Sequence, residues 1–123
     1  MQPAPSAIKL HKKSKSLELT FTQGDFELRA EYLRVHSPSA EVRGHGIGQE
    51  TLQVNKKFVG ITNLEITGNY ALKISFDDGH NTGLFTWEYL YDLCIHHDQY
   101  WSRYLENLAE SGQSRDDGLI SFS

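Results

Sequence analysis

Two stretches of this chain follow one grammar, and that repetition limits the folds open to it. "LELTF" (residues 17–21) alternates apolar and polar side chains as a half-buried strand does, and "TQGD" supplies a turn. "FELRA" continues with Phe26 and Leu28 on one face, and "EYLRVH" then drops the alternation and reads as a short helical turn. Residues 71–90 do the same. "ALKISF" alternates Leu72, Ile74 and Phe76, "DDGHNTG" turns, "LFTW" returns and "EYLYDLCI" starts a helix. The landmarks Leu17, Phe21, Gly24 and Leu72, Phe76, Gly79 keep identical spacing. Leu28 and Glu31-Tyr32-Leu33 find counterparts in Leu84 and Glu88-Tyr89-Leu90 after a longer turn. A strand–turn–strand–helix unit used twice predicts a small α+β domain with a twisted, mostly antiparallel sheet. Neither hairpin is stable alone. The core is therefore expected where Leu17, Leu19, Phe21, Phe26 and Leu28 face Leu72, Ile74, Phe76, Leu84 and Phe85 or Trp87.

The remaining segments fill in around these units. "FVGITNLEITGNY" (residues 58–70) offers one more strand pair, with Gly60 and Gly68 as turn or bulge positions. Asp98 is placed to cap a C-terminal helix whose apolar residues Tyr100, Trp101, Tyr104, Leu105 and Leu108 fall on one face, with Gly112 as its stop. Residues 1–6 read as a flexible N-terminus, 7–112 as the domain and 113–123 as a loose tail. Residues 43–57 form the longest stretch without clear structure, and loops of that length inside a compact domain are often functional or mobile.

A chain of 123 residues makes one ordinary domain, and a hydrophobic content of 38% against 23% charged residues suits a globular core. The net charge of −4 is uneven, since residues 88–123 carry two Lys/Arg against seven Asp/Glu. Nucleic-acid binding calls for a basic field, so it is not expected. Lys9, Lys12, Lys13 and Lys15 read instead as a solvated edge strand, where lysine blocks edge-to-edge pairing. Cys94 is the only cysteine, so no internal disulfide can form. "MQPAPSA" lacks the charged start and apolar run of a signal peptide, and no window reaches membrane-span length. The expectation is a cytoplasmic protein that binds no membrane; its oligomeric state is left open.

Several patterns suggest chemistry. "GHGIG" (residues 44–48) has neither the G-x-G-x-x-G spacing of a dinucleotide site nor the Lys-Ser/Thr of a P-loop, so it reads as a flexible loop. "HHD" (residues 96–98) provides half of an iron facial triad, but no histidine follows position 97 to complete it in the familiar order. Cys94 sits at core spacing with Leu90 and Leu93, where a free cysteine behaves as a small hydrophobe. Asp77-Asp78 are turn formers. Neither G-x-S-x-G nor S-x-x-K occurs, so no catalytic constellation is expected. The histidines remain. His36, His45 and His80, with Glu41 or Asp78, would hold a divalent metal, iron or zinc, if they converged, although zinc sites usually show tighter local ligand pairs. The same polar segment makes a partner-binding face of His36, Ser37, Ser39, Glu41, Arg43, His45 and His80.

At "EYLRVHSPSAEVRGHG", "ALKISFDDGH" and "GLFTWEYLYDL" the chain resembles the DUF971 family, which is similar to the N-terminal domain of gamma-butyrobetaine hydroxylase. The resemblance spans roughly residues 5–115. It implies an association with iron-dependent oxygenases or with iron–sulfur protein maturation, and so a protein partner, such as an iron–sulfur or redox protein, for a stand-alone binding or adaptor domain. It also implies a structural zinc held by three cysteines and a histidine. Here Ser37, Ser39 and Val42 stand at the cysteine positions and His80 at the histidine. Serine stays protonated near neutral pH and valine cannot ligate, so no cofactor is expected from that source. His80 is left as a turn residue bonding across to the 37–42 segment. The family's dioxygenase chemistry belongs to a separate C-terminal domain.

Overall fold

The computed structural model describes residues 2–44 and 50–116. Each repeated unit is a three-stranded meander followed by helix. The first contains β1 (Ala7–His11), β2 (Ser16–Phe21), β3 (Gly24–Arg29), α1 (Ala30–Val35) and the single turn α2 (Ala40–Arg43). The second contains β4 (Ile61–Thr67), β5 (Ala71–Phe76), β6 (Leu84–Thr86), α3 (Trp87–Ile95) and α4 (His97–Ser111). The α+β class is as the sequence indicates. The strands divide, however, into two antiparallel sheets, ordered β1-β2-β3 and β4-β5-β6.

The central strands explain the repetition. β2 and β5 bury the same positions along their length. Leu17, Leu19 and Phe21 have equivalents in Leu72, Ile74 and Phe76, all at most 3% exposed. Alternation places these side chains on one face of each sheet, where they join one core with Leu28, Leu33, Phe85, Trp87, Leu90 and Leu93. Burying the four fully enclosed Leu and Ile side chains of these two strands stabilises the domain by roughly 1.5–3 kcal/mol each. Phe85 pairs with Leu72 across the ladder and is buried, while Leu84 points outward, because neighbours along a strand face opposite ways. Phe26 is only half-buried and packs edge-on against Phe21 and Tyr91.

Three expectations are corrected. Residues 58–70 supply one strand rather than a pair: β4 turns at Gly68 and pairs with β5, with a bulge between Ile61 and Asn63. Asp98 does not cap α4. Only His96 separates α3 from α4, so Asp98 already lies inside the first turn and accepts from His97 Nδ1 at 2.9 Å. Its negative charge still favours that helix end. Leu105 is 38% exposed, because it lies about 100° around the helix from Tyr104. Gly112 stops α4 in the left-handed conformation, and the N–H of Gln113 reaches back to Leu108 O.

Beyond Gly112 the described residues are tied to the body rather than loose. Ser114 O accepts from Asn55 N–H at 3.1 Å and Arg115 O from Lys57 N–H at 2.9 Å. The Arg115 guanidinium makes a two-pronged pair with Glu31 (2.9 and 2.7 Å) and lies 5.2 Å from the centre of the Trp101 ring. The Glu31 side chain is 1% exposed. The rest of the tail expected over 113–123 lies outside the described residues. No described helix is long and apolar enough to cross a membrane.

Candidate functional site

The "SPSAE" segment, which links α1 to α2 and enters the latter, folds against the turn between β5 and β6. His80 Nε2 meets Ser37 Oγ at 2.8 Å and Ser39 Oγ at 3.3 Å, so the histidine does bond across to the 37–42 segment. A neutral ring with its proton on Nδ1 accepts the Ser37 hydroxyl proton at Nε2 and points its N–H toward Glu41, whose Oε1 is 3.8 Å away. Thr82 Oγ1 also donates to Glu41. The turn itself is braced by Asp78, which accepts from Arg34 Nε at 2.9 Å, Lys56 Nζ at 2.6 Å and the His80 N–H at 3.2 Å. Gly83 closes the clasp. A Cβ there would lie 2.3 Å from Ser37 Oγ, so only glycine lets the return strand approach so closely.

The spacing Ser37–His80–Glu41 resembles a nucleophile, base and acid in series. Ser37, however, is 1% exposed and covered by Gly83, so no acyl group can reach its oxygen in this conformation. The donor set also fails to fit the zinc that the resemblance implies: two protonated hydroxyls meet the one imidazole, and Val42, at the third cysteine position, carries no donor atom. His36 is held by other partners, its Nδ1 donating to Tyr32 O at 2.8 Å. Among the described residues no three His, Cys, Asp or Glu side chains gather around a common point. His45 lies outside the described residues.

The expected partner face thus splits in two. Ser37, Ser39 and His80 are spent on the clasp, while His36 and Arg43 line an open cleft of about 840 Å³. Its walls come from the end of α1, α2, residues 50–53 and the facing sides of α3 and α4. Val35, Val42, Leu52 and Leu93 make its apolar floor, and Tyr89, Tyr100 and Tyr104 its aromatic sides. Two of these tyrosines fix the walls through their hydroxyls, Tyr89 donating to His36 O and Tyr104 to Gln53 O. Sequence reading missed the contributions of α4 and residues 50–53. The available signal was the i, i+4 spacing of Tyr100 and Tyr104 beside Arg103, a polar-edged aromatic stripe in place of an aliphatic one.

Both histidines sit below the usual imidazole range. For His80, burial is the main cause, aided by the Arg34 guanidinium and opposed by Glu41 and Asp78. For His36, burial again leads, opposed by the bond to Tyr32 O and aided by His97 and Arg103. Asp78 is held at about 2: burial pushes it upward, but Lys56, the His80 N–H and Arg34 together pull it further down. In each case the unfolded chain binds protons that the folded chain refuses, so stability falls as pH is lowered. Two stages are expected in urea unfolding from pH 8 to pH 2. The first runs downward from about 6.5, where unfolded histidines protonate. The second runs from 3.8 to about 2 and costs roughly 1 kcal/mol after solvent screening of the half-open Asp78. A flat profile between pH 7 and 5 would remove the histidine assignment.

The family described as gamma-butyrobetaine hydroxylase-like, N-terminal, matches residues 8–91. Two solution NMR structures are similar over almost the whole chain. One is 52% identical, with a TM-score of 0.86, covering 100% of this chain and 98% of the other. The second is 43% identical, with a TM-score of 0.78, covering 98% and 94%. A crystal structure of a DUF971 protein of unknown function from Acidithiobacillus ferrooxidans is 34% identical, with a TM-score of 0.61, covering 72% of this chain and 90% of that one. No curated protein matches.

Proposed function

This chain belongs to the DUF971 family of gamma-butyrobetaine hydroxylase-like N-terminal domains, and from that premise we propose a non-catalytic binding module that receives part of a protein partner. The observation that carries this reading is the 840 Å³ cleft, whose volume suits a ligand or an inserted side-chain cluster. An apolar floor with a few convergent polar groups is the usual composition of such sites. The reactive groups nearby are poorly placed for turnover. Ser37 Oγ is enclosed, and burial pushes the Cys94 thiol up to about 12, so it carries no thiolate at neutral pH. The family relationship suggests that the partner belongs to iron-dependent oxygenation or iron–sulfur protein maturation.

Titration of the isotopically labelled chain with an iron–sulfur carrier protein from the same cell tests this proposal. Saturable amide shifts are expected around residues 35–37, 50–53 and 100–107, and an Arg103→Ala variant is expected to weaken the complex about tenfold, as a contributing interface arginine does. Shifts confined to the outer faces of the sheets, or an affinity unchanged by the substitution, would refute the assignment of the cleft.

A further inference from the structure

Resting on the reading of the cleft as the binding surface, we infer that the group it accepts is a carboxylate carried on an aromatic or apolar body. The cleft presents two guanidinium groups held against its tyrosines. Arg43 lies 4.7 Å from the centre of the Tyr89 ring and Arg103 lies 5.6 Å from that of Tyr100. Both residues line the cleft, both are exposed, and neither has a carboxylate partner among the described residues. Arg43 also hydrogen-bonds the Tyr89 side chain, but five N–H donors leave each guanidinium others to offer, and that planar fork matches the two oxygens of a carboxylate.

The cleft's lining includes two carboxylates, Glu50 and Asp92, and neither makes an ion pair with Arg43 or Arg103. Asp92 accepts from Tyr100 Oη at 2.8 Å and from His96 Nδ1 at 2.9 Å, so its two oxygens are turned to its own helix pair. His36 adds the second element of recognition. Its Nδ1 proton is committed to Tyr32 O, which leaves Nε2 as an acceptor for one N–H or O–H of the incoming group. Between these polar points lie Val35, Val42, Leu52 and Leu93, which suit the apolar body. A chain-terminal carboxylate following an aromatic residue, with its amide N–H for His36, meets all three requirements. A free aromatic acid meets the first and third.

The test uses three probes on the full chain, read by amide shifts: N-acetyl-glycyl-phenylalanine, its C-terminal amide, and 2-naphthoate. The peptide acid is expected to bind saturably in the cleft, at least tenfold more tightly than the amide. Arg43→Ala and Arg103→Ala are each expected to weaken it about tenfold with unchanged melting temperature, since both side chains are exposed. Saturation by 2-naphthoate alone would keep the carboxylate inference but count against a protein partner. Equal binding of acid and amide would overturn the carboxylate inference while leaving the cleft as the binding surface. The absence of shifts with every probe at millimolar concentration would overturn it as well.

Discussion

Replacing Arg115 by alanine is expected to destabilise the domain by about 2–4 kcal/mol. The cause is the carboxylate left behind. Glu31 is almost wholly enclosed, and among the described residues Arg115 supplies both side-chain hydrogen bonds that reach its oxygens. Removing one partner of a buried pair leaves an uncompensated charge, which costs more than the pair itself contributes. The estimate stays below the fully buried range because the Arg115 side chain is 34% exposed, so water can partly take its place. A fall of roughly 8–15 °C in the melting temperature should be seen. One control identifies the mechanism. A Glu31→Gln/Arg115→Ala double variant should be less destabilised than Arg115→Ala alone, because the stranded charge is gone. A double variant as unstable as Arg115→Ala would mean that the loss comes from packing on Trp101 instead.

Gly83→Ala should cost about 2–3 kcal/mol for a different reason, steric overlap in a closed polar contact. The added Cβ would lie 2.3 Å from Ser37 Oγ and 3.1 Å from Pro38 Cδ, but 3.5 Å from Ser37 Cβ. Only the Ser37 oxygen and, to a lesser degree, the proline ring stand in the way. Ser37→Ala removes that oxygen, so the double variant Ser37→Ala/Gly83→Ala should be more stable than the two single losses added together. The His80 ring signals should move in Gly83→Ala, since Ser37 Oγ is its nearest hydrogen-bond partner. Additive losses, with an unmoved His80, would show that Gly83 is not what shapes the clasp.

Much of this architecture was legible in the chain because its causes are local. Alternation in "SLELTF" and "ALKISF" specifies strands with one buried face, and the buried positions coincide in the two. The family motif also placed Ser37, Ser39 and His80 together, and the structure finds them within hydrogen-bond reach. Other features were not legible. Nothing in "EYL" at residues 31–33 distinguishes it from "EYL" at 88–90, yet Glu31 is buried and Glu88 exposed. The difference arises because Arg115, 84 residues away along the chain, arrives beside the first glutamate. Likewise Asp98 looked like a helix cap because capping residues are recognised by type, whereas its actual place depends on α3 running almost directly into α4.

The cleft shows the same division. The two hairpin-plus-helix units, the buried faces of β2 and β5, and the lack of a thiolate ligand set follow from residue type and period alone. That His36 and His80 serve different partners, that Glu31 is neutralised by Arg115, and that Arg43 and Arg103 flank a common opening emerges only in three dimensions. Those outcomes depend on which elements meet in space. Long-range meetings are selected by the packing of the whole core, and no short stretch of sequence encodes that packing.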